Sequence, residues 1–272
     1  MPPYRIVVGV EVLTPRTLDE ALRLKAERPD ARPIAGGTDL LVELNFDRAR
    51  PETILNLAEL SELKGWSREN GSLRLAAGLT YTEAMRPDLA ELLPALAEAS
   101  RTVGSPQIRN RGTIGGNLGT ASPAGDAIPP LLISEASVEV ASVRGKRNLP
   151  LEGFVTGVKR NALEPDELIV AVTVRRGIGS QTFMKVGPRN AMVIAVVSLA
   201  VRADRERGAL WASFGSASPV PPLVFAPIEE ADGFPELVAA AASPIDDVRG
   251  TAAYRRHALE VLTRRALDRV LA

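Results

Sequence analysis

Two glycine-centred segments hold the residue types best suited to chemistry in this chain. The longer covers residues 109–126, where Gly112, Gly115, Gly116 and Gly119 sit among almost no large apolar side chains. Hydrophobic packing cannot hold such a segment together. Glycine accepts φ > 0 and has no side chain in the way, so backbone N–H groups can come close to an anion. Thr113, Asn117, Thr120, Ser122 and Asp126 add hydroxyl, amide and carboxylate groups at short spacing. That combination suits a phosphorylated cofactor with a ribose or ribityl chain. Taken alone, the segment reads first as a surface loop with ordinary turn chemistry.

A second segment strengthens the cofactor reading. Pro33 and Ile34 end a strand-like start, and Ala35-Gly36-Gly37-Thr38-Asp39-Leu40 opens into a helix-like run. Backbone donors at a glycine turn, backed by a helix N-terminus, make an anion site. Two such turns could grip the two phosphates of a dinucleotide from both sides. Neither matches Gly-x-Gly-x-x-Gly or the P-loop with its Lys-Ser/Thr, so Rossmann nicotinamide and NTPase sites are poorly supported.

Composition narrows the chemistry further. The 272 residues are enough for a large core and two or three subdomains. Lys plus Arg and Asp plus Glu each number 33, so no basic surplus favours nucleic acid. The absence of cysteine removes thiol nucleophiles, disulfides and thiolate-held zinc or iron–sulfur centres, and no metal site is expected. The single histidine, His257, lies in a basic helix-like stretch and reads as a solvated or interface residue. With so little acid–base equipment, a cofactor must carry any hard step. The first residues lack the apolar core of a signal peptide, and the longest apolar run is too short to span a membrane, so a cytoplasmic protein is expected.

The elements that must position these segments follow from periodicity and punctuation. Residues 17–27 read as a helix with Thr17 as N-cap and Glu20 completing a capping box; Pro29 stops it. Short strands are expected at 32–35 and 53–57. A hairpin turns on Asn70-Gly71, and residues 87–100 read as one helix. Residues 109–126 form the main loop, 126–136 a helix or buried run, and 138–143 and 168–174 strands. A boundary is placed near Gly177-Ile178-Gly179-Ser180. Beyond it come three strands (181–186, 193–203, 209–216), a proline-rich link (219–227) and helices at 236–242 and 252–271. The expected class is α+β, with domains 1–176 (subdomains 1–57 and 58–176) and 177–272, the latter built on a three-stranded antiparallel sheet.

Ala35-Gly36-Gly37-Thr38-Asp39-Leu40 and Thr113-Ile114-Gly115-Gly116-Asn117, followed by Ala121-Ser122-Pro123-Ala124-Gly125-Asp126, resemble the two FAD-binding motifs of the medium, flavoprotein subunit of molybdenum hydroxylases of the xanthine and carbon monoxide dehydrogenase types. The likeness extends to Phe183-Met184-Lys185-Val186-Gly187-Pro188-Arg189-Asn190-Ala191 and Tyr254-Arg255-Arg256-His257, and so covers nearly the whole chain. It implies a two-subdomain FAD domain of the vanillyl-alcohol-oxidase/PCMH-like kind, followed by a small flavoprotein domain. Pro33, Ile34, Ala35, Gly36, Gly37, Thr38, Asp39 and Leu40 would form the first phosphate turn. Val103, Thr113, Ile114, Gly115, Gly116, Asn117, Thr120 and Asp126 would complete the phosphate and ribityl contacts, and Ile169 would pack on the isoalloxazine. Lys185 would lie beside the flavin. Arg109 and Arg111 are candidates for phosphate or partner contacts. Beside these readings, Asp39 and Asp126 also suit helix-start carboxylates, Ile169 a plain core residue and Lys185 a solvated strand lysine.

The resemblance implies an electron-transfer oxidoreductase subunit with no catalytic side chain of its own. Electrons would pass from [2Fe-2S] clusters on a small partner subunit through FAD to an acceptor such as NAD. A large molybdopterin subunit would act on the organic substrate, and the whole would form a dimer of heterotrimers. The wording around Arg109 and Asp126 is most like the bacterial xanthine dehydrogenase type. Two rivals stand beside this reading: a self-contained FAD oxidoreductase of the same fold, and a nucleotide-binding assembly protein without redox activity.

Overall fold

Short apolar strands alternating with helices in the first 57 residues build a small parallel sheet. The computed structural model describes residues 9–177, 179–190 and 192–272. Residues 1–8, read above for a leader, Ile178 of the boundary segment and Ala191 of the closing motif lie outside the described residues. Strand β1 (Glu11–Leu13) leads to helix α1 (Leu18–Glu27), β2 (Arg32–Ile34), α2 (Leu40–Asn45) and β3 (Thr53–Asn56). The strands lie in the order β1-β3-β2, and both pairings are parallel. Thr17 caps α1 by accepting from the Glu20 amide at 3.2 Å, while the Glu20 carboxylate accepts from the Arg16 amide at 2.8 Å, a capping box displaced by one residue. The apolar face of α1 buries Ala21 and Leu22.

A five-stranded antiparallel sheet follows. Its hairpin, β4 (Trp66–Glu69) and β5 (Ser72–Ala76), turns on Asn70 and Gly71, both at positive φ as a tight primed turn requires. Helices α3 (Tyr81–Ala84), α4 (Pro87–Ala90) and α5 (Pro94–Thr102) come next. The expectation of one helix over 87–100 is corrected here: Pro94, without an N–H, begins a new helix instead of continuing the old one. The larger correction is to residues 109–126. They do not form one open loop; α6 (Pro106–Arg111) and α7 (Ile114–Thr120) occupy most of the stretch. Thr113 caps α7 on the Gly116 amide, and Ala121 ends it in the left-handed conformation.

After α8 (Ile128–Ile133) come β6 (Ser137–Ser142), β7 (Gly145–Pro150), α9 (Leu151–Phe154), β8 (Val155–Gly157), β9 (Arg160–Asn161) and β10 (Leu168–Arg175). The sheet order is β4-β5-β10-β6-β7, every pairing antiparallel, with a bulge in β10 between Ile169 and Ala171. One apolar cluster runs from Ala21 of α1 through Leu75 of β5 to Val174 of β10, so the parallel and antiparallel sheets share a core.

The C-terminal sheet has four strands, not the three expected: β11 (Ser180–Val186), β12 (Val197–Asp204), β13 (Ala209–Gly215) and β14 (Leu223–Pro227), in sequential antiparallel order. The fourth comes from the stretch read as a proline-rich link. Pro219, Pro221 and Pro222 precede this edge strand and Pro227 ends it, where a missing donor is tolerated. Helices α10 (Phe234–Ala240) and α11 (Ala252–Val270) cover one face, meeting Val197, Leu199, Val201 and Phe214. The other face is seated against α5 and α8, where Ala95, Ala99 and Ile133 meet Phe183 and Ala200. His257 is exposed on α11, in keeping with its reading as a solvated residue.

Candidate functional site

The first glycine turn sits where β2 ends. Gly37 has φ +75°, which few residues other than glycine adopt without strain. Gly36 passes so close to the second motif that a Cβ would fall 1.8 Å from the Arg111 carbonyl oxygen. Among the described residues, no partner takes the N–H groups of Gly36, Gly37, Thr38 or Asp39. Four successive donors at one turn form a concavity that favours an anion.

The second motif works differently from the sequence expectation. The amides of Ile114 and Gly115 donate to the carbonyls of Leu79 and Ala77, at 2.9 and 2.8 Å, and that of Gly116 to Thr113 Oγ1 at 3.0 Å. These donors are spent inside the chain. A Cβ on Gly115 would lie 2.6 Å from that of Ala77, so its glycine serves close packing of α7 on the residue just past β5. What the motif offers is side chains. Asn117 Oδ1 and Asp126 Oδ1 are buried without a hydrogen-bond partner. Thr120 Oγ1 donates to Asp39 Oδ2 at 3.1 Å and ties the two motifs together.

Between the motifs lies a cleft of about 1150 Å³. That is at or above the upper end of the roughly 300–1,000 Å³ common for small-molecule sites, as a dinucleotide needs. Pro33, Ile34, Ala35, Gly36, Gly37, Thr38, Asp39 and Leu40 all line it. So do Val103, Thr113, Gly115, Gly116, Asn117, Thr120, Asp126 and Ile169. The bulge in β10 falls beside Ile169, which is 8% exposed and faces this space. Two expected residues stand elsewhere. Ile114 is fully buried in the core beneath α7. Lys185 does not line the cleft: its ammonium is satisfied by Asp126 Oδ2 at 2.5 Å and the Thr102 carbonyl at 3.3 Å. Arg109 turns inward to the carbonyls of Val103 and Gly104, whereas Arg111 does line the cleft.

Several lining residues carried no motif signal. Tyr81 is one; burial pushes its phenol above its ordinary value, with Asp126 and Asp39 adding to the effect. Lys159 reaches across to Glu43 at 2.5 Å, and that hydrogen bond holds the Glu43 carboxyl below its usual range. Asn161 donates to the Gly119 carbonyl at 2.9 Å. These positions follow the turn after β8 and become legible only when the chain returns to α7. Burial pushes the Asp126 carboxyl up, and the Lys185 charge beside it opposes the rise. Among the described residues, no group of His, Asp and Glu is placed to hold a metal.

The residues fit FAD. Unpaired amides suit the pyrophosphate, the missing Cβ at Gly36 lets the two motifs close on one another, and orphaned acceptors on Asn117 and Asp126 suit hydroxyl or N–H donors.

Comparison with known proteins agrees. Residues 8–175 match the family model described as the FAD binding domain in molybdopterin dehydrogenase. The chain is 33% identical over 275 residues to the xanthine dehydrogenase FAD-binding subunit of Escherichia coli O157:H7, covering 94% of each. It is 38% identical over 213 residues to the nicotinate dehydrogenase FAD-subunit of Eubacterium barkeri, covering 75% of this chain and 72% of that one. A chain of the carbon monoxide dehydrogenase from Hydrogenophaga pseudoflava superposes with a TM-score of 0.89 at 25% identity, over 96% of this chain and 97% of that one. A fold with two converging glycine motifs, a cleft matched to FAD, and relatives along nearly its whole length place this chain in the molybdenum hydroxylase family as an FAD-carrying oxidoreductase subunit.

Proposed function

We propose that this chain holds FAD in the cleft between the two glycine motifs and relays electrons within a molybdenum hydroxylase complex. The carrying observation is the convergence of Gly36 and its unpaired neighbouring amides with the orphaned acceptors of Asn117 and Asp126 on one cleft. Gly36, Gly37, Thr38 and Asp39 take the pyrophosphate through backbone donors. Asn117, Thr120 and Asp126 supply side-chain acceptors, and Ile169 gives an apolar face for the ring. When bound, FAD accepts electrons singly and releases them singly or in pairs.

Electrons arrive from [2Fe-2S] clusters of a small partner subunit and leave to an acceptor such as NAD. A large molybdopterin subunit handles the organic substrate, and the assembly is a dimer of heterotrimers. The full-length relative named for xanthine dehydrogenase supports the bacterial xanthine dehydrogenase type. The partition into domains 1–176 and 177–272 belongs to the same reading. The family match ends at residue 175, and a second apolar cluster gathers from Val197 onward. So does a cytoplasmic location: among the described residues, no helix is long and apolar enough to cross a membrane. A self-contained oxidoreductase has less support, because relatives matched along nearly the whole chain are named as FAD-binding subunits.

The test is a visible spectrum of the protein purified from its own host, with released cofactor identified by mass. FAD together with co-purifying iron–sulfur and molybdopterin chains is expected. FAD on an active single chain would overturn the relay, and a chain that never takes up FAD would overturn the cofactor assignment.

A further inference from the structure

The C-terminal sheet is covered on both faces, but the two faces differ in kind. Side chains alternate along its strands. Leu199, Val201, Leu210, Ala212 and Phe214 belong to a core shared with α10 and α11. The residues between them face α5 and α8: Gln181, Ser198, Arg202, Trp211 and Ser213, of which Ser198, Arg202 and Ser213 have no exposure. This second face has the composition of the solvated side of an ordinary antiparallel sheet, yet it is buried. Its cover satisfies it poorly. Gln181 Oε1, Ser198 Oγ, Trp211 Nε1, Ser213 Oγ and two nitrogens of Arg202 are buried without a hydrogen-bond partner, as is Ser100 Oγ on α5. Each such atom costs free energy that contact with water would return.

What holds the unit down is mostly polar. The apolar contact is slight, Phe183 and Ala200 against Ala95, Ala99 and Ile133, with Leu223 at the margin. Glu98 Oε2 accepts from the Phe183 amide at 2.6 Å and from the Thr182 hydroxyl at 2.9 Å. The Ser216 amide donates to the Pro123 carbonyl at 2.8 Å, and Lys185–Asp126 and Arg202–Glu135 ion pairs cross the same boundary. No strand of this sheet pairs with either earlier sheet. The chain leaves the earlier sheets at Gly177, which has φ +65° and open space where a Cβ would lie. The unit also supplies one wall of the cofactor cleft: Met192, Val193 and Ile194, between β11 and β12, line it.

We infer that β11 to α11 form a hinged door, a unit with its own core that undocks from α5 and α8 without unfolding and thereby opens the cleft to admit the cofactor. Undocking rests on the two unlike faces of the sheet. What the opening admits rests on the placement of FAD proposed above. Linkage is reciprocal: if closure tightens FAD binding, bound FAD must hold the door shut by the same factor.

The chain has no cysteine, so a single introduced thiol reports a single position. Ala212 and Ser213 are neighbours on β13, both without exposure, on opposite faces of the sheet. A212C and S213C are made in the full chain and labelled under native conditions with an aromatic disulfide reagent, thermal denaturation being the control for folding. S198C repeats the second reading from β12 should S213C fail to fold. S213C is expected to react roughly tenfold or more faster than A212C, because undocking exposes one thiol and only global unfolding the other. Adding Glu98→Ala should raise the S213C rate roughly tenfold again, the factor for losing hydrogen bonds to a charged group, and leave A212C unchanged. Saturating FAD should slow labelling of S213C and not of A212C. Equal rates at the two positions overturn the inference, as does an S213C rate that Glu98→Ala does not change. FAD that binds without slowing S213C overturns the link between door and cleft. A chain that takes up no FAD removes the placement proposed above, and the labelling contrast then decides undocking by itself.

Discussion

Gly36 and Arg111 are the point at which the two glycine motifs touch: the backbone of one runs against the carbonyl of the other with no room for a Cβ between them. The contact joins the turn after β2 to the end of α6, and both residues line the cleft. Because the obstacle is backbone on both sides, no rotamer change can relieve it.

Gly36→Ala must therefore push the motifs apart. A loss of about 1–3 kcal/mol in stability is expected for such overpacking. FAD affinity should fall at least as far, since the same displacement moves the unpaired amides of Gly37 and Thr38. Chemical denaturation of the apo chain and FAD titration would measure the two effects. An alanine variant that binds FAD as wild type does would show that the motifs need not meet.

Within α7 the glycines are not equivalent. A Cβ at Gly115 would meet Ala77 at 2.6 Å, whereas at Gly119 the nearest atom is Ile169 Cδ1 at 3.8 Å. Gly115→Ala is expected to destabilise by about 1–3 kcal/mol. Gly119→Ala should leave the apo chain unharmed or raise its stability by up to about 1 kcal/mol, the ordinary helix preference of alanine over glycine. Melting temperatures moving the same way for both variants would contradict this division.

This division also shows what the sequence could and could not convey. Thr17, the Asn70-Gly71 turn and the apolar strands announced their elements, because the local chemistry that forms them is contained in a few adjacent residues. Residues 114–120 did not, since glycine at three of seven helical positions opposes helix by propensity. The helix exists because Ala77 and Leu79, just past β5, accept its first amides and Ala77 admits its bare backbone, facts distributed over forty residues of chain. The ion pair of Lys185 was hidden for a related reason. The lysine's identity is a local fact, but its carboxylate partner lies 59 residues away in sequence. The fourth C-terminal strand was hidden by prolines that are tolerable only at an edge.

At the far side of the same interface, Glu135 gathers Arg202 at 2.9 Å, Arg207 at 2.6 Å and Arg175 at 3.7 Å. Arg202 is wholly buried and lies over the Trp211 ring, 4.8 Å from its centre. Glu135→Leu would strand a buried guanidinium, and a loss of about 3 kcal/mol is expected. Arg202→Met leaves a half-exposed carboxylate still paired with Arg207 and should cost about 1 kcal/mol or less, apart from the ring contact. The asymmetry is the test: equal losses by urea denaturation would mean that the charge on Arg202 is not what Glu135 is there to balance.

The last prediction concerns acid. Arg147 makes two hydrogen bonds to Glu167, at 2.6 and 2.7 Å, and these hold the Glu167 carboxyl below its ordinary range. The folded value lies below the unfolded one, so at low pH the unfolded chain takes up this proton first. The stabilisation is complete above the unfolded-state value of roughly 4.3 and drains away as pH falls through the folded value. Arg147→Met should therefore melt lower than wild type at neutral pH, and the two curves should converge on acidification. The arginine stays charged throughout, so the convergence reports Glu167 alone. A melting-temperature gap that stays constant from neutral pH into strong acid would show that Arg147 contributes by packing its aliphatic stem and not by its charge.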